Sequence, residues 1–157
     1  GWIVGKDRHG NEHLLIARRG PETRIYGMMW ESAPAGGVKP LVLSAADRAA
    51  VTDLSPFVQT LAEEADEELG LTLDWSHAKL LGVAQDSTAM SYDVFFQLEL
   101  PGVIDPRKAP VCQTGAHAWE YVDSAWLAKS DAAGFDRQSP DAIVPAVRAM
   151  MRVAGLV

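Results

Sequence analysis

Residues 54–70 leave the 157-residue chain less freedom than any other stretch. Leu54, Phe57, Val58, Leu61, Ala65 and Leu69 recur at the 3.6-residue period of an α-helix, so one face of this segment must be buried against another layer. Asp53 or Ser55 is expected to cap the helix, Pro56 suits its first turn, and Gly70 suits its end. Runs of strand type lie on either side. Residues 2–4 and 14–17 flank a cluster of turn formers and predict a β-hairpin, residues 25–30 read as a further extended segment, and residues 80–84, 92–100 and 119–122 as three more strands. Residues 101–110 form a polar, proline-bearing loop in this reading. A last helix is expected to start at Ser139-Pro140-Asp141 and to carry Ile143, Val147, Met150 and Met151, with Pro145 in its first turn or two. Helices set among strands, without repeats or linkers, predict one α/β domain over residues 1–157, with mixed strands and two or three helices.

Charge excludes some partners. Lysine and arginine number 14 against 21 acidic residues, a net charge of −7, the opposite of what a general nucleic-acid binder needs. No apolar run approaches the roughly 20 residues that cross a bilayer, so no membrane span is expected. The one cysteine, Cys112, cannot close an internal disulfide, which points to a reducing compartment and the cytoplasm. Oligomeric state is left open, a homodimer included.

The acids themselves are unevenly placed. Between Arg48 and Lys79 there is no lysine or arginine, yet the segment holds Asp53, Glu63, Glu64, Asp66, Glu67, Glu68 and Asp74. On a helical projection at about 100° per residue, Glu68 falls about 20°, Glu64 about 60° and Glu67 about 120° from Leu61, on one side of it, whereas Glu63 and Asp66 point roughly the opposite way. Glu64, Glu67 and Glu68 therefore form a ridge along the edge of the buried face. Unpaired carboxylates at a core boundary are costly, and magnesium or manganese is the usual partner of oxygen-only ligands so spaced. The bland counterpart is an acidic, solvated helix surface.

At these residues the sequence resembles the Nudix hydrolases, whose signature is Gx5Ex7REUxEExGU with U aliphatic. Its second half is matched by Glu63-Glu64-Ala65-Asp66-Glu67-Glu68-Leu69-Gly70-Leu71. Upstream, Trp30-Glu31-Ser32-Ala33-Pro34-Ala35-Gly36-Gly37 looks like the strand and Gly-Gly turn that lead into the box, and Ala17-Arg18-Arg19 like the arginine-bearing strand before it. The resemblance implies an α/β/α sandwich with a mixed sheet. It also implies magnesium- or manganese-dependent hydrolysis of a nucleoside diphosphate linked to another moiety, with Glu64, Glu67 and Glu68 as catalytic and metal-binding residues. One of these glutamates, or a loop carboxylate, would act as base. Glu120 is the nearest match to a further family ligand.

Departures accompany the match. Gly37 lies 26 positions before Glu63 where the pattern has 14, so about a dozen residues of the segment 38–52 look inserted, in the position of a lid or specificity loop. Glu63 stands where the box has arginine and Ser55 where it has its first glutamate, so both members of a family salt bridge are replaced. This makes a catalytically weak Nudix-fold nucleotide-binding or regulatory domain the alternative.

For the substrate, Arg18, Arg19, Trp30 and Gly37 are the expected contacts. Strand alternation sends only one of the two arginines toward a given face, where it could grip a phosphate. Trp30 could stack on a base or pack in the core, and Gly37 belongs to the turn beside the ridge. His9, His13, His77 and His117 show no helical metal spacing, and no nucleophile-elbow or GxxxxGK sequence occurs.

Overall fold

The computed structural model describes residues 1–38, 54–110, 119–138 and 141–157. The proposed insertion therefore falls outside the described residues except for Val38, as do Asp53, Cys112, His117, Ser139 and Pro140. The first strands, β1 (Trp2–Lys6) and β2 (Glu12–Arg19), form the expected hairpin, with Val4 opposite Leu14. Its turn is held by Asp7, whose carboxylate accepts the backbone N–H groups of His9 at 2.8 Å and Asn11 at 2.9 Å.

Residues 25–29 are not a strand. Tyr26 (φ 57°) and Met28 (φ 67°) lie in the left-handed region, which an extended ladder cannot accommodate. The chain turns back on Arg19 instead: its N–H donates to Met29 O at 2.9 Å and its carbonyl accepts from Met28 N at 3.1 Å. Only Trp30–Ser32 is extended, as β3, with Trp30 opposite Arg18 and Glu31 opposite Ala17.

Helix α1 (Ser55–Leu69) begins at an N-cap of Leu54, so Ser55 is its first helical residue and not its cap. Gly70 ends it in the left-handed conformation (φ 63°), its N–H turned back to Asp66 O, the use of glycine that the sequence suggested. Strands β4 (Lys79–Asp86) and β5 (Ser91–Val103) pair as an antiparallel hairpin, and β5 continues through Pro101 because Val103 lies against Lys6 of β1. Strand β6 (Tyr121–Ala128) lies along β2 for most of its length.

Two further helices follow, α2 (Ala132–Gln138), which the sequence did not single out, and α3 (Pro145–Val153). The last helix starts at Pro145, several residues later than expected. A proline disfavours helical geometry in the residue before it, and Val144 is accordingly extended (ψ 129°), so Ile143 pairs with Trp30 instead of joining the helix.

The sheet is mixed, β1 and β5 being parallel and the other pairs antiparallel. Alternation along β1 and β2 sends Ile3, Leu15 and Ala17 toward Leu61, Ala65 and Leu69 of α1. Trp2, Val4, Leu14 and Ile16 point the other way, toward Val147, Met150 and Met151 of α3. The result is an α/β/α sandwich.

Candidate active site

One edge of β2 is shared: β1 pairs with its first residues and β3 with its last. Strand β5 meets β1 only from Gln97 onward, opposite Trp2, so its earlier residues, Ser91–Phe96, face β3 across an opening in the sheet. A cavity of about 570 Å³ fills that opening, bordered by Arg19, Glu31, Gly36, Phe57, Asp93 and Phe96 among others.

The turn after β3 lines this cavity through Ala35, Gly36 and Gly37, and the same turn carries the contacts to the acidic helix. Ala35 N–H donates to Glu68 Oε2 at 3.1 Å. The Glu64 carboxylate lies so close over Gly36 that a β-carbon there would collide with it. Glu68 is 2% exposed, Glu64 half-buried and Glu67 exposed, whereas Glu63 and Asp66 are solvated and bonded locally, to Gln59 Nε2 at 2.8 Å and Thr72 Oγ1 at 3.1 Å. The helical projection placed Glu64 and Glu68 at the buried edge and Glu63 and Asp66 in solvent as found, whereas Glu67, which it set on the same ridge, is exposed.

Burial pushes the Glu68 carboxyl up to about 9, and the charges of Glu64, Glu31 and Glu120 add to the shift against the single N–H of Ala35. Glu120 sits just ahead of β6, where its carbonyl accepts Gly20 N–H at 2.7 Å. Glu31 is buried and pairs with Arg19, Nη1 to Oε1 at 2.5 Å; burial pushes its carboxyl up while the guanidinium opposes the shift. Tyr121, also buried, has its phenol driven well above the usual range by burial and by Glu31 and Glu68 beside it.

Arg19 thus reaches the cavity wall, but with its guanidinium held by Glu31. Arg18 points to the other face, where its Nε donates to Met28 O at 3.1 Å. Trp30 lies edge-on to Phe135, 6.2 Å between ring centres, and packs with the α3 core away from the cavity. Gly37 lines the cavity with open space around it, so the glycine in tight contact is Gly36. The sequence reading assigned Glu31 and Gly36 to the strand and Gly-Gly turn before the box and Tyr121 to the packing, but none of the three to a role in the site. A signal existed for Glu31, a charge inside a short strand beside Trp30, with Arg19 as the nearest cation on the preceding strand; Tyr121 carried none.

Among the described residues no three His, Cys, Asp or Glu side chains close into a ready-made metal cage. Magnesium needs less than that, since it usually keeps several waters and takes one or two carboxylates. Glu64 and Glu68, hard oxygen donors in a locus with surplus negative charge and a side-chain-free turn above it, fit such an ion.

No family model matches the sequence, and no curated protein does. Solved structures do match over nearly the whole chain. A Nudix hydrolase from Alicyclobacillus acidocaldarius is 14% identical with a TM-score of 0.68, covering 98% of this chain and 88% of that one. A MutT protein from Methanosarcina mazei is 15% identical at a TM-score of 0.60, covering 98% and 90%. The Nudix domain of Shewanella oneidensis NrtR, complexed with ADP ribose, is 13% identical at 0.60, covering 98% and 82%. The fold is that of the Nudix hydrolases. Within this Nudix fold the acidic half of the box lies on α1 beside the Gly-Gly turn. Ser55 and Glu63, where the box has glutamate and arginine, stand at the start of α1 and on its exposed side. An ion pair near the ridge, with Glu31 buried and Arg19 half-buried, joins β2 and β3. No helix among the described residues is long and apolar enough to cross a membrane.

Proposed function

We propose that the protein is a metal-dependent pyrophosphohydrolase, a single domain over residues 1–157 that cleaves a nucleoside diphosphate linked to another moiety in the cytoplasm. The observation that carries this is Glu68: a buried carboxyl, surrounded by Glu64, Glu31 and Glu120, opposite a glycine turn in a Nudix fold.

Glu64 and Glu68 would hold magnesium or manganese from the inner side of the ridge, with Glu67 at its exposed edge. The bound ion supplies neutralisation of the diphosphate and activation of the attacking water. Glu68 holds its proton at neutral pH and must release it to become a ligand. Gly36 and Gly37 let a diphosphate approach the backbone closely, and the Arg19–Glu31 pair keeps the wall behind Glu68 rigid. The general base is one of the ridge glutamates or Glu120, each within the same acidic locus.

A second reading, a nucleotide-binding domain of low activity, is favoured by the replaced box residues Ser55 and Glu63 and by the ADP ribose bound to the Nudix domain of NrtR. Turnover of a panel of linked diphosphates, with magnesium and with chelator, separates the two. Magnesium-dependent release of a nucleoside monophosphate supports the hydrolase. Saturable binding of the same compounds without turnover supports the binding domain.

A further inference from the structure

The cavity between β3 and β5 says something about the half of the substrate that does not react. Its volume, about 570 Å³, suits a small-molecule ligand. One end is the Ala35–Gly37 turn, where the glutamates meet the backbone; the other is the start of β5. Gly1 lies between them. Aromatic side chains form part of the walls: Phe57 of α1 rests against Phe96 of β5, 6.1 Å between ring centres, and Tyr92 stands exposed at the rim.

The polar groups are unequal. Among the described lining residues Arg19 is the only Lys, Arg or His, and Glu31 already occupies it. Two aspartates face the same space. Asp86 is fully engaged: Tyr26 Oη lies 2.8 Å from both carboxylate oxygens, and Oδ1 also accepts Thr88 N at 2.8 Å and Ala89 N at 2.9 Å. Burial opposes ionisation of Asp86, yet these bonds hold its carboxyl below the usual range. Asp93 accepts only from Ser91 Oγ, at 3.2 Å to Oδ1, so among the described residues its second oxygen has no protein donor.

We infer that this cavity seats the non-reacting half of the substrate as an uncharged group bearing hydrogen-bond donors, and that Asp93 is the residue that selects it. An ionised carboxylate accepts hydrogen bonds and donates none, so it rewards hydroxyl or amino groups and repels further phosphates. Tyr26 and Asp86 brace the wall that holds Asp93. A chain of phosphates extending from the glutamate ridge into this space would meet carboxylates, and among the described lining residues no lysine, arginine or histidine is free to oppose them.

The inference rests on the diphosphate-hydrolase reading for its substrates but has its own readout. KM and kcat are measured with magnesium for ADP-ribose, whose terminal sugar offers hydroxyls, and for ATP, whose extension is phosphate, on the wild type, Asp93→Ala and Asp93→Asn. Calorimetry gives Kd for the same two compounds and needs no turnover, so an inactive protein defeats the hydrolase reading without silencing this test. Expected are a wild-type preference for ADP-ribose and a loss of roughly 10- to 100-fold in its KM or Kd in Asp93→Ala, with a smaller change in kcat. Asp93→Asn, which keeps an acceptor and removes the charge, should narrow the gap chiefly by improving ATP, and it serves if the alanine variant folds poorly. Equal effects on both compounds, a wild-type preference for ATP, or no binding of either at millimolar concentration would overturn the inference.

Discussion

The Glu64 carboxylate occupies the space over Gly36 that a β-carbon would need. The helix and the turn that leads toward it are thereby pressed together at the one point where a diphosphate and a cation would have to meet. The far end of a glutamate side chain can swing aside, so Gly36→Ala should fold and turn Glu64 out of the ridge. The expected result is a melting temperature without metal close to that of the wild type. The stabilisation by magnesium, about 2.7 kcal/mol at a hundred times the dissociation constant, should be largely lost. Thermal melts with and without magnesium check it; an undiminished magnesium shift would mean that Glu64 is not a ligand.

Glu68 predicts a pH dependence with a definite sign. Its carboxyl, pushed up to about 9 by burial and by neighbouring carboxylates, keeps its proton in the folded protein. The unfolded chain releases that proton near the ordinary glutamate value of about 4.3. Between these values the folded state binds more protons than the unfolded one, so in the absence of metal this group makes stability fall as pH rises, by at most about 1.4 kcal/mol per pH unit. Glu68→Gln removes the term. Denaturant melts in chelator should show the variant gaining on the wild type from pH 5 to pH 8; a constant difference across that range would contradict the shift.

In the Arg19–Glu31 pair Glu31 is buried and Arg19 half-buried, so removing the guanidinium leaves the Glu31 carboxyl without its partner. Arg19→Met should therefore destabilise the fold, by less than the roughly 3–5 kcal/mol of a fully buried pair, because Glu31 can take up a proton. Glu31→Gln should cost less, because burial already favours the protonated form of that carboxyl. The double variant Arg19→Met with Glu31→Met should recover most of the loss, since apolar replacements of a buried pair are often neutral. A double-variant cycle in urea measures the coupling, and additive losses would show that the two side chains act separately.

Much of this site was legible because its signals are periodic. Residues 2–4 and 14–17 alternate between two cores, and the helical period that buries Leu61, Ala65 and Leu69 also fixes where Glu64, Glu67 and Glu68 must stand. Residues 25–29 were misread because their apolar character resembles a strand while Tyr26 and Met28 take left-handed backbone, a preference their side chains do not advertise. Pro145 did carry a readable instruction, the extended geometry it imposes on Val144, but the apolar spacing around it argued for an earlier helix. Tyr121 and Asp93 come beside Glu31 and the cavity through strands distant in sequence, which no local pattern encodes, whereas Glu31 carried a signal of its own, a charge inside a short strand with Arg19 on the strand before it.

The last prediction separates the acidic residues of α1 by position alone. Glu63 is exposed and accepts from Gln59, Glu67 is exposed at the ridge edge, Glu64 lies against Gly36, and Glu68 is buried under Ala35. If the ridge holds the ion, the loss of turnover on changing each glutamate to glutamine should rank with proximity to the turn. Glu64→Gln and Glu68→Gln should each lower kcat by roughly 100-fold or more, on the scale of losing a preorganised electrostatic group. Glu67→Gln should fall between these and Glu63→Gln, which should stay within about twofold, the range of a solvated surface change. Glu120→Gln tests the far side of the same locus: because Glu120 adds to the charge around Glu68, its neutralisation should weaken magnesium binding while bringing the Glu68 carboxyl down from about 9. Magnesium titrations at several pH values read both effects together. Equal losses at Glu63 and Glu68 would place the ion elsewhere, and a Glu120→Gln variant with tighter magnesium binding would remove Glu120 from the ligand set and leave it a source of repulsion alone.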